Sequence, residues 1–307
     1  MLDSLIFLLA GTLAAATPLL FAAMGEAVVE KAGVLNLSIE GMMAIGAATG
    51  FAVTTASGSY IGGFAMAALG SAILSSVFAI LVLFFLANQV AAGLAVGILG
   101  LGFSVLIGKN HEGQTIKAIS DLDMGYLAEL PFFGDVLFSH DPMLYVGIGL
   151  IFLVWWVLSH TRLGLIIRAV GESPDAASAI GYPVILIRFL AILFGGAMAG
   201  LGGAYLTLSY TPLWAEGLVA GRGWIVVALV VFGMWRPLRI AVGAYLFGAV
   251  SLLELFIQGQ SYSIPSQLLS ALPYIITIVI LVIMSRNPRL IRLNHPASLG
   301  QSWHRSA

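Results

Sequence analysis

Apolar runs long enough to cross a bilayer recur along this chain, and no other feature restricts its folds so sharply. A span must satisfy its backbone N–H and C=O groups internally and cover about 30 Å of hydrocarbon, so each such run reads as a helix. They occupy residues 4–24, 33–53, 60–86, 88–107, 142–160, 185–208, 222–235, 240–258 and 267–285. The chain is therefore expected to be an all-α, polytopic integral membrane protein with about nine transmembrane helices, roughly eight to ten at the bounds. Residues 222–235 are short for a span and should be tilted, broken or extended by residues 218–221. Composition leaves no soluble alternative. Of 307 residues, 60% are hydrophobic and 9% charged, with mean hydropathy +1.04, too little polar surface to cover a water-soluble globule.

Charge sets the expected orientation. Lys31, Arg162, Arg168, Arg188, Arg236, Arg239, Arg286, Arg289, Arg292 and Arg305 fall on one side of the alternating connections, against Lys109, Lys117 and Arg222 on the other. The positive-inside rule makes the first side cytoplasmic, with the N-terminus outside and the C-terminus inside. No basic residue precedes the first span, so it does not read as a cleaved signal. Residues 1–285 then form a transmembrane domain, with a cytoplasmic loop at 161–184 and an external loop at 108–141. Residues 286–307 form a basic, proline-punctuated cytoplasmic tail, expected to be largely disordered or to lie on the cytoplasmic surface.

Catalytic readings fail on inventory. With no cysteine there is no disulfide, thiol nucleophile or thiolate metal site. His111, His140, His160, His295 and His304 are scattered over loops on both sides, so no metal site is expected. No Gly-x-x-x-x-Gly-Lys-Ser/Thr run is present to cradle nucleotide phosphates, and no basic cluster with interleaved aromatics suggests nucleic acid.

The loop at 161–184 is built to hold one short helix. Ser173 can cap it, Pro174 suits a first helical position, Asp175 faces the positive helix end, and Gly181 before Pro183 ends the turn. A helix over 174–180 would present Ala176, Ala177 and Ile180 as an apolar knob ringed by Arg162, Arg168 and Arg188, fit for a partner's groove. A capped turn is also an ordinary way to join two spans.

Polar residues inside the spans are the other candidates. Asn36 and Glu40 share one face of a helix at i, i+4, with Glu40 about 10 Å into the span. An intramembrane carboxylate is costly and functional by default. Glu40 either contacts a solute, or caps backbone donors at a helix break or pairs with a neighbouring helix. Asn88 and Gln89 interrupt continuous apolar sequence. Such amides suit a hydroxyl-bearing solute and equally suit gluing helices together. Glu254 sits near an outer helix end and reads as snorkelling or capping. Gly93-x-x-x-Gly97, Gly196-x-x-x-Gly200 and Ala199-x-x-x-Gly203 are faces for close helix packing.

Several of these stretches resemble one family. They are residues 25–50, with Gly25-Glu, Val34-Leu-Asn-Leu and Glu40-Gly-Met-Met; residues 86–97; and residues 161–204, with Thr161-Arg-Leu-Gly, Arg168-Ala-Val-Gly-Glu-Ser-Pro-Asp-Ala-Ala and Gly195-Gly-Ala-Met-Ala-Gly-Leu-Gly-Gly. Together they are similar to permeases of ATP-binding-cassette importers in the ribose and branched-chain amino acid permease superfamily, most closely its nucleoside and simple-sugar branch. The resemblance implies the importer permease fold, no cofactor on this chain, and ATP with Mg on a separate cytoplasmic ATPase. It implies that Glu172, Ser173, Pro174, Asp175, Ala176, Ala177, Ile180 and Gly181 form the coupling helix that seats on that ATPase. It further implies a second permease subunit, the same or related, and an extracytoplasmic solute-binding protein in a bacterial inner membrane. Asn36, Glu40, Asn88 and Gln89 become candidates for the solute pathway. The acidic external loop, with Glu112, Asp121, Asp123, Glu129, Asp135 and Asp141, becomes a candidate dock for a basic patch on the binding protein. The competing expectation is an ion-gradient-driven secondary transporter with Glu40 as its coupling site. Against it stands the lack of a second intramembrane acid or histidine for a relay.

Overall fold

The computed structural model describes residues 2–122, 124–128, 130–258 and 294–304, with isolated positions between 268 and 282. Among the described residues no strand forms, and seven helices are long and apolar enough to cross a membrane. They are α1 (Leu2–Lys31), α2 (Ile39–Ser57), α3 (Tyr60–Leu83), α4 (Gln89–Gly108), α5 (Pro142–His160), α8 (Val184–Tyr205) and α10 (Pro237–Gln258). Three shorter helices complete the set: α6 (Arg162–Glu172), α7 (Pro174–Ala179) and α9 (Arg222–Phe232). Eight of the expected apolar runs thus correspond to helices, and the run at 267–285 lies outside the described residues except for isolated positions.

The bundle is organised around α2. In its most apolar stretch 72% of residues are buried, against 33% for α4 and α5, so α2 sits inside while α4 and α5 turn large apolar faces outward. Small residues make that placement possible. A Cβ on Gly41 would come within 2.8 Å of the Gly97 Cα, and one on Gly203 within 2.7 Å of the Met43 carbonyl carbon. The small-residue faces read from the sequence therefore lie at real crossings, α4 on α2 and α8 on both α2 and α3. Lys31, Arg162, Arg168, Arg188, Arg236 and Arg239 gather at the end of the bundle that carries α7.

Four local expectations change. Residues 25–33, which fall between the first two expected spans (4–24 and 33–53), do not all form a connection: α1 continues as far as Lys31, and Glu26 and Glu30 are buried there at 1% and 0% exposure. Residues 34–38 are not helical, and α2 begins at Ile39, so Asn36 and Glu40 do not share a helix face. The physical reason is local: the Asn36 Oδ1 accepts the Ser38 backbone N–H at 3.0 Å, an alternative to the helical ladder that Asn readily offers. Residues 161–184 hold two helices rather than one. Of the two alternatives held for the tail, disorder falls away for residues 294–304, which lie against the α7 end.

At the far end, the connection at 109–141 packs back on the bundle: Ile116 and Ile119 donate to the carbonyls of Pro212 (3.1 Å) and Leu208 (3.2 Å), and the Tyr60 hydroxyl donates to the Lys117 carbonyl. Asp141 does not belong to an external acidic face. It is buried, caps α5 through the Met143 and Leu144 N–H groups, and accepts from the Tyr205 and Ser209 hydroxyls at 2.7 and 2.9 Å. Asp123 and Glu129 lie outside the described residues.

Candidate coupling and solute sites

The connection from α5 to α8 is a pair of capped helices. Thr161 accepts the Gly164 N–H at 3.1 Å to start α6, whose Gly164, Ile167, Val170 and Gly171 are buried while Leu163 and Leu165 are exposed. Such a divided helix suits the surface of a membrane, one face inward and one toward lipid headgroups. Ser173 then caps α7 by accepting the Ala176 N–H at 3.3 Å, with Pro174 at the first helical position. Termination is a Schellman arrangement: Gly181 sits at φ +95°, its N–H donates to the Ser178 carbonyl (2.9 Å), and the Tyr182 N–H donates to the Ala177 carbonyl (3.0 Å). Glycine is needed there because an L side chain is strained at that φ.

The exposed surface of α7 differs from the expected knob. Ala177 is 2% exposed and packs with Val170, Val184 and Trp303, so it anchors the helix instead of presenting it. Ile180, at 73% exposure, stands out with Ala176 and Ala179. Glu172, Ser173 and Asp175 are exposed beside them, and the Asp175 carboxylate accepts the Trp303 indole N–H at 2.7 Å.

The second feature is a helix end inside the bundle. After α8 and a π-helical turn at Leu206–Tyr210, the chain runs irregularly to Gly221 (φ +82°), where α9 begins. Glu40 receives that helix end: Oε1 accepts the Gly221 N–H and Oε2 the Gly223 N–H, each at 2.7 Å. Acceptance by both oxygens is the pattern of an ionised carboxylate, and a negative charge at a helix N-terminus is favoured by the aligned peptide dipoles. Depth follows from α4, along which Leu35 meets Gln89 and Leu37 meets Gly93 and Gly97. Eight residues of helix rise about 12 Å, which puts Glu40 near the middle of a bilayer. A cavity of about 490 Å³ opens there, lined by Glu40, Ser104, Trp214, Glu216 and Val219 among others.

Of the four residues named from sequence for a pathway, Glu40 alone lines this cavity. Asn36 is fully buried, donates to Glu26 Oε2 at 3.2 Å and accepts from Ser38. Asn88 caps α4 by accepting the Ala91 N–H at 3.0 Å. Gln89 accepts the Leu35 N–H at 2.7 Å and donates to the Gln301 carbonyl at 3.2 Å. These three amides are joints in the backbone.

Sequence reasoning missed the buried acids of α1. Glu30 Oε2 accepts the Trp235 indole N–H at 2.5 Å, and among the described residues Glu26 Oε1 and Glu30 Oε1 have no hydrogen-bond partner. The argument that no second buried acid exists is thereby overturned. The signal was available: Ala27, Val28 and Val29 between two glutamates at i, i+4 fit a helix that goes on.

Comparison with known proteins completes the assignment. The chain is 38% identical over 97% of its length, and 97% of the relative's, to a putative glucose ABC transporter permease protein, TsgC13, of Haloferax volcanii. It is 32% identical to the guanosine ABC transporter permease protein NupQ of Bacillus subtilis, covering 88% and 89% of the two chains. With the nucleoside ABC transporter permease protein NupC of Lactococcus lactis it shares 30% identity over 92% and 93%. No solved structure matches the chain. A family of permease components leaves ATP hydrolysis to a separate subunit, so the chain is a transport subunit rather than an enzyme, and the gradient-driven alternative falls away. Residues 8–284 match the family described as the permease component of branched-chain amino acid transport systems, and the chain, an all-α multi-pass membrane protein, belongs to that family of ABC transporter permeases.

Proposed function

We propose that this chain is the membrane subunit of a binding-protein-dependent importer for a nucleoside or a sugar-like solute, in a bacterial cytoplasmic membrane. Two permease chains enclose the pathway, ATP and Mg bind a cytoplasmic ATPase seated on α7, and the N-terminus lies outside. The observation that carries this reading is the capped, exposed helix α7, at the end of the bundle where the basic residues gather. A short helix held at both ends, with Ile180 projecting, is a rigid knob for a groove in another polypeptide. The ATPases, closing on ATP, push that knob; α6 and α8, packed on it through Val170, Ala177 and Val184, take up the displacement.

The solute class is supported by the names of the relatives and by the cavity beside Glu40. Its size falls in the range of small-molecule sites, and Ser104, Trp214 and Glu216 offer a hydroxyl, an aromatic face and a carboxylate to a ring with hydroxyl groups. The test is an Ile180→Glu permease co-expressed with its ATPase. Ile180 touches no core, so the variant should insert and melt like the wild type while ATPase co-purification falls about tenfold, the scale of about 1.4 kcal/mol. Uptake of radiolabelled guanosine or glucose should require ATP and survive a protonophore. Normal co-purification in the variant would remove α7 from the interface.

A further inference from the structure

Residues 294–304 are polar, follow the last expected span, and nonetheless hold fixed positions across the whole α7 end. The Lys31 ammonium at the end of α1 donates to the Asn294 carbonyl at 2.7 Å, and Arg236, in the turn between α9 and α10, donates to the Asn294 side chain at 3.0 Å. His295 stands edge-on to Trp235 with ring centres 5.1 Å apart. Ser298 then sits at a crossing made by two glycines: its N–H and hydroxyl both donate to the Gly171 carbonyl, at 3.0 and 2.6 Å, close against Gly33. Arg188, buried in the first turns of α8, donates to the Ser298 oxygen at 2.9 Å and to the Ala32 carbonyl at 3.1 Å. Gln301 meets Gln89 of α4, and Trp303 closes over α7.

We propose that residues 294–304 are a strap that ties the coupling helix to the spans, with Trp303 and Ser298 as its positioning residues. The proposal rests on α7 being the ATPase seat. A helix of six residues cannot by itself transmit a push; it has to be held on the side away from the partner. Pro174 and Ala177 supply part of that hold, and the Trp303 ring against Ala177 and its N–H on Asp175 supply the rest.

The strap also gives α7 a contiguous connection to the cavity. From Asp175 it passes through Trp303 to Gln301, whose carbonyl accepts from Gln89; Gln89 in turn accepts from Leu35. Leu35 belongs to the short non-helical segment 34–38 that leads into α2, where Glu40 holds the first turn of α9. Movement of α7 relative to α4 pulls on the segment that carries Glu40. Contiguity alone does not establish coupling, which is measured by perturbing one end and reading the other.

The native chain contains no cysteine, so one cysteine at the cavity-lining Ala215 serves as a reporter in the assembled permease–ATPase complex. Its maleimide labelling rate is compared with and without ATP plus vanadate, on intact-strap, Trp303→Ala, Trp303→Phe and Ser298→Ala backgrounds. With the strap intact the nucleotide should change the rate by about fivefold or more, the lower end of ordinary coupling between sites. In Trp303→Ala the change should vanish while the ATPase still co-purifies and hydrolyses ATP. Trp303→Phe, which keeps the ring and loses the donor, should restore part of it, and Ser298→Ala should behave like Trp303→Ala. A full response in Trp303→Ala with the ATPase bound would overturn the strap and leave the functional reading standing. Loss of ATPase binding in Trp303→Ala would also overturn it, making Trp303 part of the seat itself. No ATPase binding or no response with the strap intact would sink the reading of α7 and the strap together.

Discussion

Replacing Glu40 by Gln separates the two roles an intramembrane carboxylate can have. In the native protein two backbone N–H groups, of Gly221 and Gly223, each point at a carboxylate oxygen from 2.7 Å. Hydrogen bonds to a charged acceptor contribute about 1.5–3 kcal/mol each, so the pair holds the start of α9 with about 3–6 kcal/mol. Glutamine has the same shape but keeps one acceptor, neutral and contributing about 1 kcal/mol, and turns an amide donor toward the other N–H. The loss is at least about 2 kcal/mol, which multiplies the open population of that helix end by about thirty. Hydrogen–deuterium exchange of the peptide covering residues 218–226 measures this directly, because local opening is what exposes those amides. The expected result is exchange about thirtyfold faster in Glu40→Gln than in the wild type, with the α2 and α8 peptides unchanged. Unaltered exchange at 218–226 together with lost uptake would refute the reasoning and assign Glu40 to the solute instead.

Other perturbations address the α7 end. Trp235→Phe keeps an aromatic ring beside His295 and removes the N–H that Glu30 accepts, leaving a buried acid group without that bond; destabilisation of about 1–3 kcal/mol is expected, read as a lowered melting temperature in detergent, and an unchanged melting curve would contradict the placement of Glu30. Ala177→Arg should lower the melting temperature of the isolated permease, since the site is 2% exposed and lies under Trp303; wild-type stability would mean that Ala177 faces outward after all. A cysteine at Ser178 should resist an impermeant maleimide in intact cells and react after permeabilisation, and labelling from outside would reverse the orientation.

The spans were legible because lipid leaves the backbone few options, so a long apolar run is itself the structural statement. The cap of α7 was legible for a related reason: Ser173, Pro174 and Gly181 each act within their own turn. What escaped was decided at long range. The helix α1 runs on to Lys31 because Asn36 and Trp235 donate to Glu26 and Glu30 and the Asn294 carbonyl accepts from Lys31, and these partners lie outside α1. Ser298 has no local reason to be ordered; Gly171 and Arg188, more than a hundred residues away in sequence, order it. The role of Glu40 was open for the same reason, its partners being Gly221 and Gly223. The helix α6 could have been found, since Leu163, Ile166, Ile167 and Val170 recur at helical spacing between Arg162 and Glu172.

At about 1.5 Å per residue, the eleven residues of α9 reach only about 16 Å, roughly half the thickness of the acyl region. The other half of that column is the irregular chain from Thr211 to Gly221, with Glu216, Gly217 and Ala220 open to the surroundings. Irregular backbone at that depth cannot be left against hydrocarbon tails. One flank of a solitary copy is therefore poorly solvated by lipid, and either water or the flank of another protein has to stand there before the molecule is at ease in a bilayer.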